Sequence, residues 1–258
     1  MVAGLAFLAT AVATLFAEAT FKRWRHGRKP HEGAWTFALV LFALASAALA
    51  TGASTGWDRG VFRVFYLFGA VLNVPWLALG TVYLLFGERA GRRLRAGLLF
   101  ASGLAAGVLL TAPISAGVAG SATIPAGRDV FGVFPRVLAA VGSGLGALVV
   151  FGGAAWSATR FARAARGRAL STRPGVGRPP AGRMAAANAL IALGTLVLSG
   201  GGLLQGFLGH DEAFTVSLAT GIGVVYAGFL VAARPVAITT DEGPSTRGVP
   251  VEAVGSQA

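Results

Sequence analysis

Seven long apolar runs are the feature of this sequence that most constrains its fold. Each run is near the ~20 residues that a helix needs to cross ~30 Å of hydrocarbon at a rise of ~1.5 Å per residue. Only 12% of the 258 residues are charged, against roughly 25% in a typical soluble domain, which is too few to coat a water-facing surface. The runs predict an all-α, polytopic membrane bundle of seven transmembrane helices, at residues 2–21, 34–53, 61–86, 96–115, 134–157, 184–208 and 213–233.

Basic residues are distributed unequally among the segments that join these runs. Of the 22 Lys and Arg residues, all but four fall in alternate joining segments and in the C-terminal tail; the four exceptions are Arg59, Arg63, Arg128 and Arg136. Segments that stay in the cytoplasm carry the excess of Lys and Arg. The pattern therefore predicts a multi-pass plasma membrane protein with its N-terminus outside and its C-terminus in the cytoplasm. We expect residues 1–235 to form the seven-helix domain and the polar residues 236–258 to form a disordered cytoplasmic tail.

The net charge of +12 bears on the partners of the chain. In a soluble protein such a charge would suggest nucleic acid, but here the basic residues lie between apolar runs and no aromatic-basic platform or nucleic-acid motif is present. We therefore expect no nucleic-acid partner. The expected partners are the lipid bilayer, with anionic headgroups at Arg-rich cytoplasmic segments such as residues 166–183, and a protein partner that the sequence does not identify.

Polar residues within the third run follow one face of the predicted helix. At 100° per residue, Arg63, Tyr66 and Asn73 fall on the same side, and Asn73 reaches the middle of the bilayer. Two residues later Pro75 removes a helical hydrogen bond and predicts a kink. The pattern has two interpretations: a buried amide that joins helices, or a binding cavity at the kink.

A second group of polar residues lies where the third, fifth, sixth and seventh helices are expected to meet the same membrane surface. We predict that at least one of Arg63 and Arg136 contacts Asp211 or Glu212, because an unpaired guanidinium at the edge of the hydrocarbon is costly. The group has two interpretations, interfacial ion pairs with no further role or an outward-facing site for a polar ligand. Its members are Arg63, Arg136, Gln205, His210, Asp211 and Glu212.

The residues that intramembrane chemistry requires are mostly missing from the runs. The chain has no Cys, its three His lie at 26, 31 and 210, and its only Lys residues, Lys22 and Lys29, lie between the first two runs. Haem ligation, a retinal Schiff base and proton-coupled transport each need His, Lys or carboxylates inside the helices. We predict no catalytic residue, metal site or cofactor, and we do not expect an enzyme.

The block at residues 65–85, Phe-Tyr-Leu-Phe-Gly-Ala-Val-Leu-Asn-Val-Pro-Trp-Leu-Ala-Leu-Gly-Thr-Val-Tyr-Leu-Leu, is followed by a basic flank. It resembles uncharacterised seven-helix integral membrane proteins of high-GC Gram-positive bacteria. The resemblance implies the seven-helix fold and transfers no activity, ligand or functional residue. From the residues, the leading hypothesis is a non-catalytic membrane module, either sensor-like or an accessory subunit that acts through a partner. The alternative is a transporter or channel for a small solute.

Overall fold

The computed structural model describes residues 1–121, 123–168, 181–208 and 211–233, and these residues contain helices but no β-strand. Within them, six helices are long and apolar enough to cross a membrane. The all-helical prediction is confirmed, and the tail 236–258 lies outside the described residues. In chain order the elements are α1 (Val2–Gly27), α2 (Pro30–Thr55), α3 (Arg59–Phe65), a π-helix (Tyr66–Leu72), α4 (Asn73–Thr111), a 3₁₀ turn (Ala116–Val118), α5 (Gly127–Val130), α6 (Val133–Arg168), α7 (Ala181–Leu208) and α8 (Asp211–Ala233).

The continuous helix that runs from α3 through α4 folds back on itself at Gly87. The backbone there has φ 82° and ψ −179°, a conformation that is essentially restricted to glycine. Trp76 Nε1 donates to Ser102 Oγ at 3.1 Å across 26 residues, which a straight helix would separate by ~39 Å. Gly87 thus divides this helix into a first arm, residues 59–86, and a returning arm, residues 88–111. The two arms match the third and fourth apolar runs.

The turn between α1 and α2 is shorter than the basic segment that the sequence suggests. α1 continues to Gly27, and only two residues separate it from Pro30, the first residue of α2. Arg28 closes α1 in the left-handed conformation at φ 48°, and its N–H donates to the Trp24 carbonyl at 2.7 Å. Most of the basic residues between the first two runs therefore lie on the last turns of α1. We call the end of the bundle that carries this turn and Gly87 the basic end.

The long helices form a closed ring in which each contacts two neighbours. α1 contacts α2 and α8, α2 contacts α4, α4 contacts α6, and α7 packs between α6 and α8. The opposite end of the ring from the basic end carries residues 112–132, which join the returning arm to α6. We call it the loop end.

Small residues bring α6 against the first arm. A Cβ added to Gly146 would lie 2.9 Å from the Val74 carbonyl carbon, and one added to Gly142 would lie 3.2 Å from the Val71 oxygen. These backbones therefore approach as closely as two helices can. A Cβ added to Gly103 or Gly107 on the returning arm would meet nothing within 4 Å, so these two glycines make no such contact with the described residues.

Candidate functional site

The loop end is covered by residues 112–132, which we call the cap; residue 122 is not described. Gly120 N–H donates to the Trp57 carbonyl at 2.9 Å, and Trp57 N–H donates to the Ser121 carbonyl at 3.4 Å. Beneath the cap, the ring of Phe62 lies 5.8 Å from Trp57 and 5.6 Å from Phe131, and all three side chains are buried. The aromatic contacts close this end of the bundle with apolar surface.

Arg63 and Asp211 both bind the backbone of the cap. Arg63 Nη2 donates to the Ala112 carbonyl at 2.9 Å, and Asp211 Oδ2 accepts from the Ile124 N–H at 2.8 Å. Ala112 ends the returning arm, where helical carbonyls lack partners and the helix dipole favours a cation. Arg63 and Asp211 therefore bond to backbone groups of the cap, and not to a side chain of opposite charge as predicted.

The predicted ion pair at this end does not form. Among the described residues, neither Arg63 nor Arg136 forms an ion pair with Asp211 or Glu212. Arg136 and Glu212 are both exposed. The predicted ion pair is wrong because Arg63 and Asp211 bond to the backbone of the cap instead, and Arg136 and Glu212 point to the surface.

The remaining predicted residues at the loop end are only partly brought together. The ring of Tyr66 lies 5.0 Å from the ring of Phe131 in the cap, tilted by 59°. The side chain of Gln205 and all of His210 lie outside the described residues. A cleft of about 360 Å³ opens within the cap, beside the Arg128–Asp129 ion pair at 3.7 Å, and of the predicted site residues only Asp211 lines it. Whether these residues bind a ligand stays a prediction.

Where the sequence predicts a kink, the first arm contains the π-helix. It ends at Leu72, directly before Asn73 and three residues before Pro75. Asn73 N–H bonds to the Phe68 carbonyl, five residues back. The Ser143 hydroxyl of α6 donates to the Ala70 carbonyl, which the wide turn leaves available. The Asn73 side chain is buried and forms no hydrogen bond with the part of the chain that the structure describes. The kink is thus packed against α6.

A larger cleft, of about 710 Å³, lies at the basic end between the α1–α2 hairpin and the two arms. The cleft exists because the returning arm touches the bundle mainly through its far half. Ala105 and Leu109 there are buried, whereas Leu99, nearer Gly87, is 56% exposed. Gly91 provides a close contact near the turn, where its Cα lies against the ring of Tyr83.

Aromatic side chains form the floor of this cleft. Phe37 meets Trp76 edge to face at 4.5 Å, and the Trp76 indole is fixed by its hydrogen bond to Ser102. The ring of Tyr83 also borders the cleft, and its hydroxyl is buried and has no hydrogen-bond partner among the described residues. A buried hydroxyl without a partner is costly, so this wall is not internally satisfied.

Two charged residues stand at the mouth of the cleft. Glu18 pairs with Lys22 at 2.6 Å on the surface of α1. Arg95 of the returning arm is exposed and forms no ion pair with any described residue. The site is thus an apolar groove whose rim carries a guanidinium without an ion-pair partner in the described part of the chain.

No protein-family model, no curated protein and no solved structure matches this chain. We therefore infer the function from the geometry of the two ends of the bundle.

A buried ion pair near the cleft was not predicted from the sequence. Glu32, in the first turn of α2, is buried and accepts from Arg23 Nε at 3.0 Å. The guanidinium also lies 5.0 Å from the ring of Phe229, so Arg23 joins α1 to both α2 and α8. Its signal was the position of Glu32 two residues after Pro30, in the first turn of α2, where a carboxylate stabilises a helix N-terminus. The residues that line the cleft, Arg95 and Tyr83 among them, carried no comparable signal.

Proposed function

We propose that this protein is a non-catalytic, seven-span module of the plasma membrane that acts through binding and through a protein partner, as a sensor or accessory subunit. The close packing of α6 against the first arm near Asn73 carries the proposal. Gly142 and Gly146 bring α6 onto the backbone of the first arm, and Ser143 bonds across the same interface. A solute path along Asn73 would have to separate these backbones.

The closed loop end gives independent support. Trp57 and Phe62 are fully buried under the cap, and Val118 and Val130 of the cap are buried with them. A polar solute entering there would have to displace these apolar contacts and the hydrogen bond that Arg63 forms with the cap.

The orientation is part of the proposal. The basic end carries the segments between the first two runs and between the two arms, which hold nine of the 18 Lys and Arg residues described, whereas the loop end holds four. Since cytoplasmic segments carry the basic excess, we assign the basic end to the cytoplasm and the cap to the outside.

A transporter or channel for a small solute is the second candidate. It is favoured by polar atoms within or near the spans that have no hydrogen-bond partner among the described residues, namely Arg63 Nε and the Tyr83 hydroxyl. Such atoms often mark substrate paths in membrane proteins. The two candidates differ in whether water reaches Asn73.

Cysteine labelling distinguishes them, because the chain has no Cys and each introduced thiol is unique. In the N73C variant, reconstituted in membranes, we expect no reaction with a small water-soluble methanethiosulfonate reagent until the protein is unfolded in SDS. Leu145→Cys, on the lipid-facing side of α6, is the matched inaccessible control, and Glu212→Cys is the accessible one. Rapid labelling of N73C in the folded protein would contradict the module and support the transporter.

The same approach tests the orientation. An impermeant maleimide added to intact cells should label Glu212→Cys at the loop end and should label Arg93→Cys, exposed at the basic end, only after the membrane is opened. The reverse pattern would place the N-terminus in the cytoplasm.

A further inference from the structure

We propose that the cleft at the basic end is a specific site for an anionic glycerophospholipid, with one acyl chain between the returning arm and the α1–α2 hairpin and the phosphate at Arg95. This site goes beyond the proposed function and does not depend on it. A membrane module and a transporter would both be compatible with it.

The depth of the cleft fits one leaflet. Pro30 lines it at the basic end of α2 and Val40 lines it ten residues farther along, a distance of ~15 Å at 1.5 Å per residue. That is about half of the ~30 Å hydrocarbon core. The cleft therefore begins at the headgroup level and ends near the bilayer midplane, as an acyl chain does.

The walls of the cleft fit a chain rather than a polar solute. Phe37 and Val40 on α2 and Leu99 on the returning arm are large apolar residues that are between 42% and 56% exposed. They face each other across a gap that no described side chain fills.

The charge at the rim selects the headgroup. Arg92, one turn away from Glu88, is paired with it at 2.6 Å, whereas Arg95 has no carboxylate partner in the described residues. A helical side chain leans towards the N-terminus of its own helix, which for the returning arm is the basic end. The Arg95 guanidinium therefore reaches from the wall of the cleft towards the headgroups, where it matches a phosphate as a bidentate partner.

The test is native mass spectrometry of the purified full chain in detergent, titrated with dioleoyl phosphatidylglycerol or dioleoyl phosphatidylcholine. We expect one phosphatidylglycerol to bind more tightly than phosphatidylcholine. Arg95→Gln should lower this preference about fivefold, the equivalent of the ~1 kcal/mol that a basic residue contributes near anionic lipid. Arg93→Gln, on the same arm but outside the cleft, is the matched control and should keep the preference. Equal losses in the two variants would overturn the site, and both variants keep the fold because both side chains are exposed.

The acyl chain is tested separately. Val40→Trp should fill the cleft and weaken both lipids at least tenfold, whereas Leu110→Trp, lipid-facing on the far half of the returning arm, should bind as the wild type does. Dibutyroyl phosphatidylglycerol, which has the headgroup without long chains, should not compete. Competition by it would assign the site to a free phosphate compound and overturn the proposal. If Val40→Trp instead abolishes a protein dimer and leaves lipid binding unchanged, the proposal is also overturned. The cleft would then be the contact site for a second copy of the chain.

Discussion

Replacing Arg23 should destabilise the bundle more than replacing Glu32, although both changes break the same ion pair. The asymmetry follows from exposure: the Glu32 side chain is 4% exposed and that of Arg23 is 43% exposed, at an N–O distance of 3.0 Å. In Arg23→Gln the carboxylate stays buried without its cation, and breaking a buried pair in this way costs ~3 kcal/mol. The contact of the guanidinium with Phe229 is lost as well.

In Glu32→Gln the consequence is smaller. The amide still offers an oxygen to Arg23, and the guanidinium can turn to solvent or headgroups, so we expect a loss of ~1 kcal/mol. The matched control is Lys22→Gln, which breaks the exposed Glu18–Lys22 pair, with side chains 55% and 68% exposed, and should change stability by less than ~0.5 kcal/mol.

The assay is the free energy of unfolding in dodecylmaltoside micelles titrated with SDS and followed by tryptophan fluorescence. The double variant with both Arg23→Gln and Glu32→Gln should be more stable than Arg23→Gln alone, because it no longer buries an unpaired charge. If Arg23→Gln costs no more than Glu32→Gln, or no more than Lys22→Gln, the reasoning from exposure is refuted.

Three further predictions concern residues whose surroundings are equally defined, and the same unfolding assay measures each. Tyr83→Phe should stabilise the protein by ~1–2 kcal/mol, since it removes a buried hydroxyl that has no partner; a loss of stability would mean that the hydroxyl is bonded. Gly146→Ala should cost ~1–3 kcal/mol because its methyl group meets the backbone of the first arm, and Gly144→Ala, which faces open space, should cost nothing; equal effects would contradict the close packing. Gly87→Ala should cost ~1–3 kcal/mol through backbone strain at φ 82°, whereas Gly97→Ala on the same arm should not destabilise; a neutral Gly87→Ala would show that the turn adapts.

The helices could be predicted from the sequence because their signal is local. An apolar run of membrane length must be helical, since hydrocarbon offers no other partner for the backbone. The ends of the helices were less predictable. α1 continues through its basic residues because Lys and Arg are good helix formers, and it stops only at Gly27 and Arg28. The position of the turn between the arms depends on one glycine within a segment that otherwise reads as a loop.

The partners of the polar residues could not be predicted in the same way. The sequence shows four charges at one surface and suggests pairing, but it does not show the carbonyl of Ala112 or the N–H of Ile124, which the folded cap presents to Arg63 and Asp211. Almost every residue has the same backbone N–H and C=O groups, so a pattern of side chains does not predict which of these groups will lie beside a charged residue. The cleft could not be predicted for a related reason, because it depends on how the returning arm packs against the α1–α2 hairpin and the first arm.

The open cleft, and not the satisfaction of polar groups, distinguishes the basic end from the loop end. At the loop end Arg63 and Asp211 bond to the cap, yet Arg63 Nε and Trp57 Nε1 have no hydrogen-bond partner among the described residues. At the basic end the Tyr83 hydroxyl likewise has no partner in the described part of the chain, and Arg95 forms no ion pair there. Unpartnered groups thus occur at both ends, but only at the basic end do they border an open apolar cleft that can take a molecule from outside. A bilayer brings that molecule to the cleft at high local concentration, so even a modest preference for an anionic headgroup would keep the site occupied.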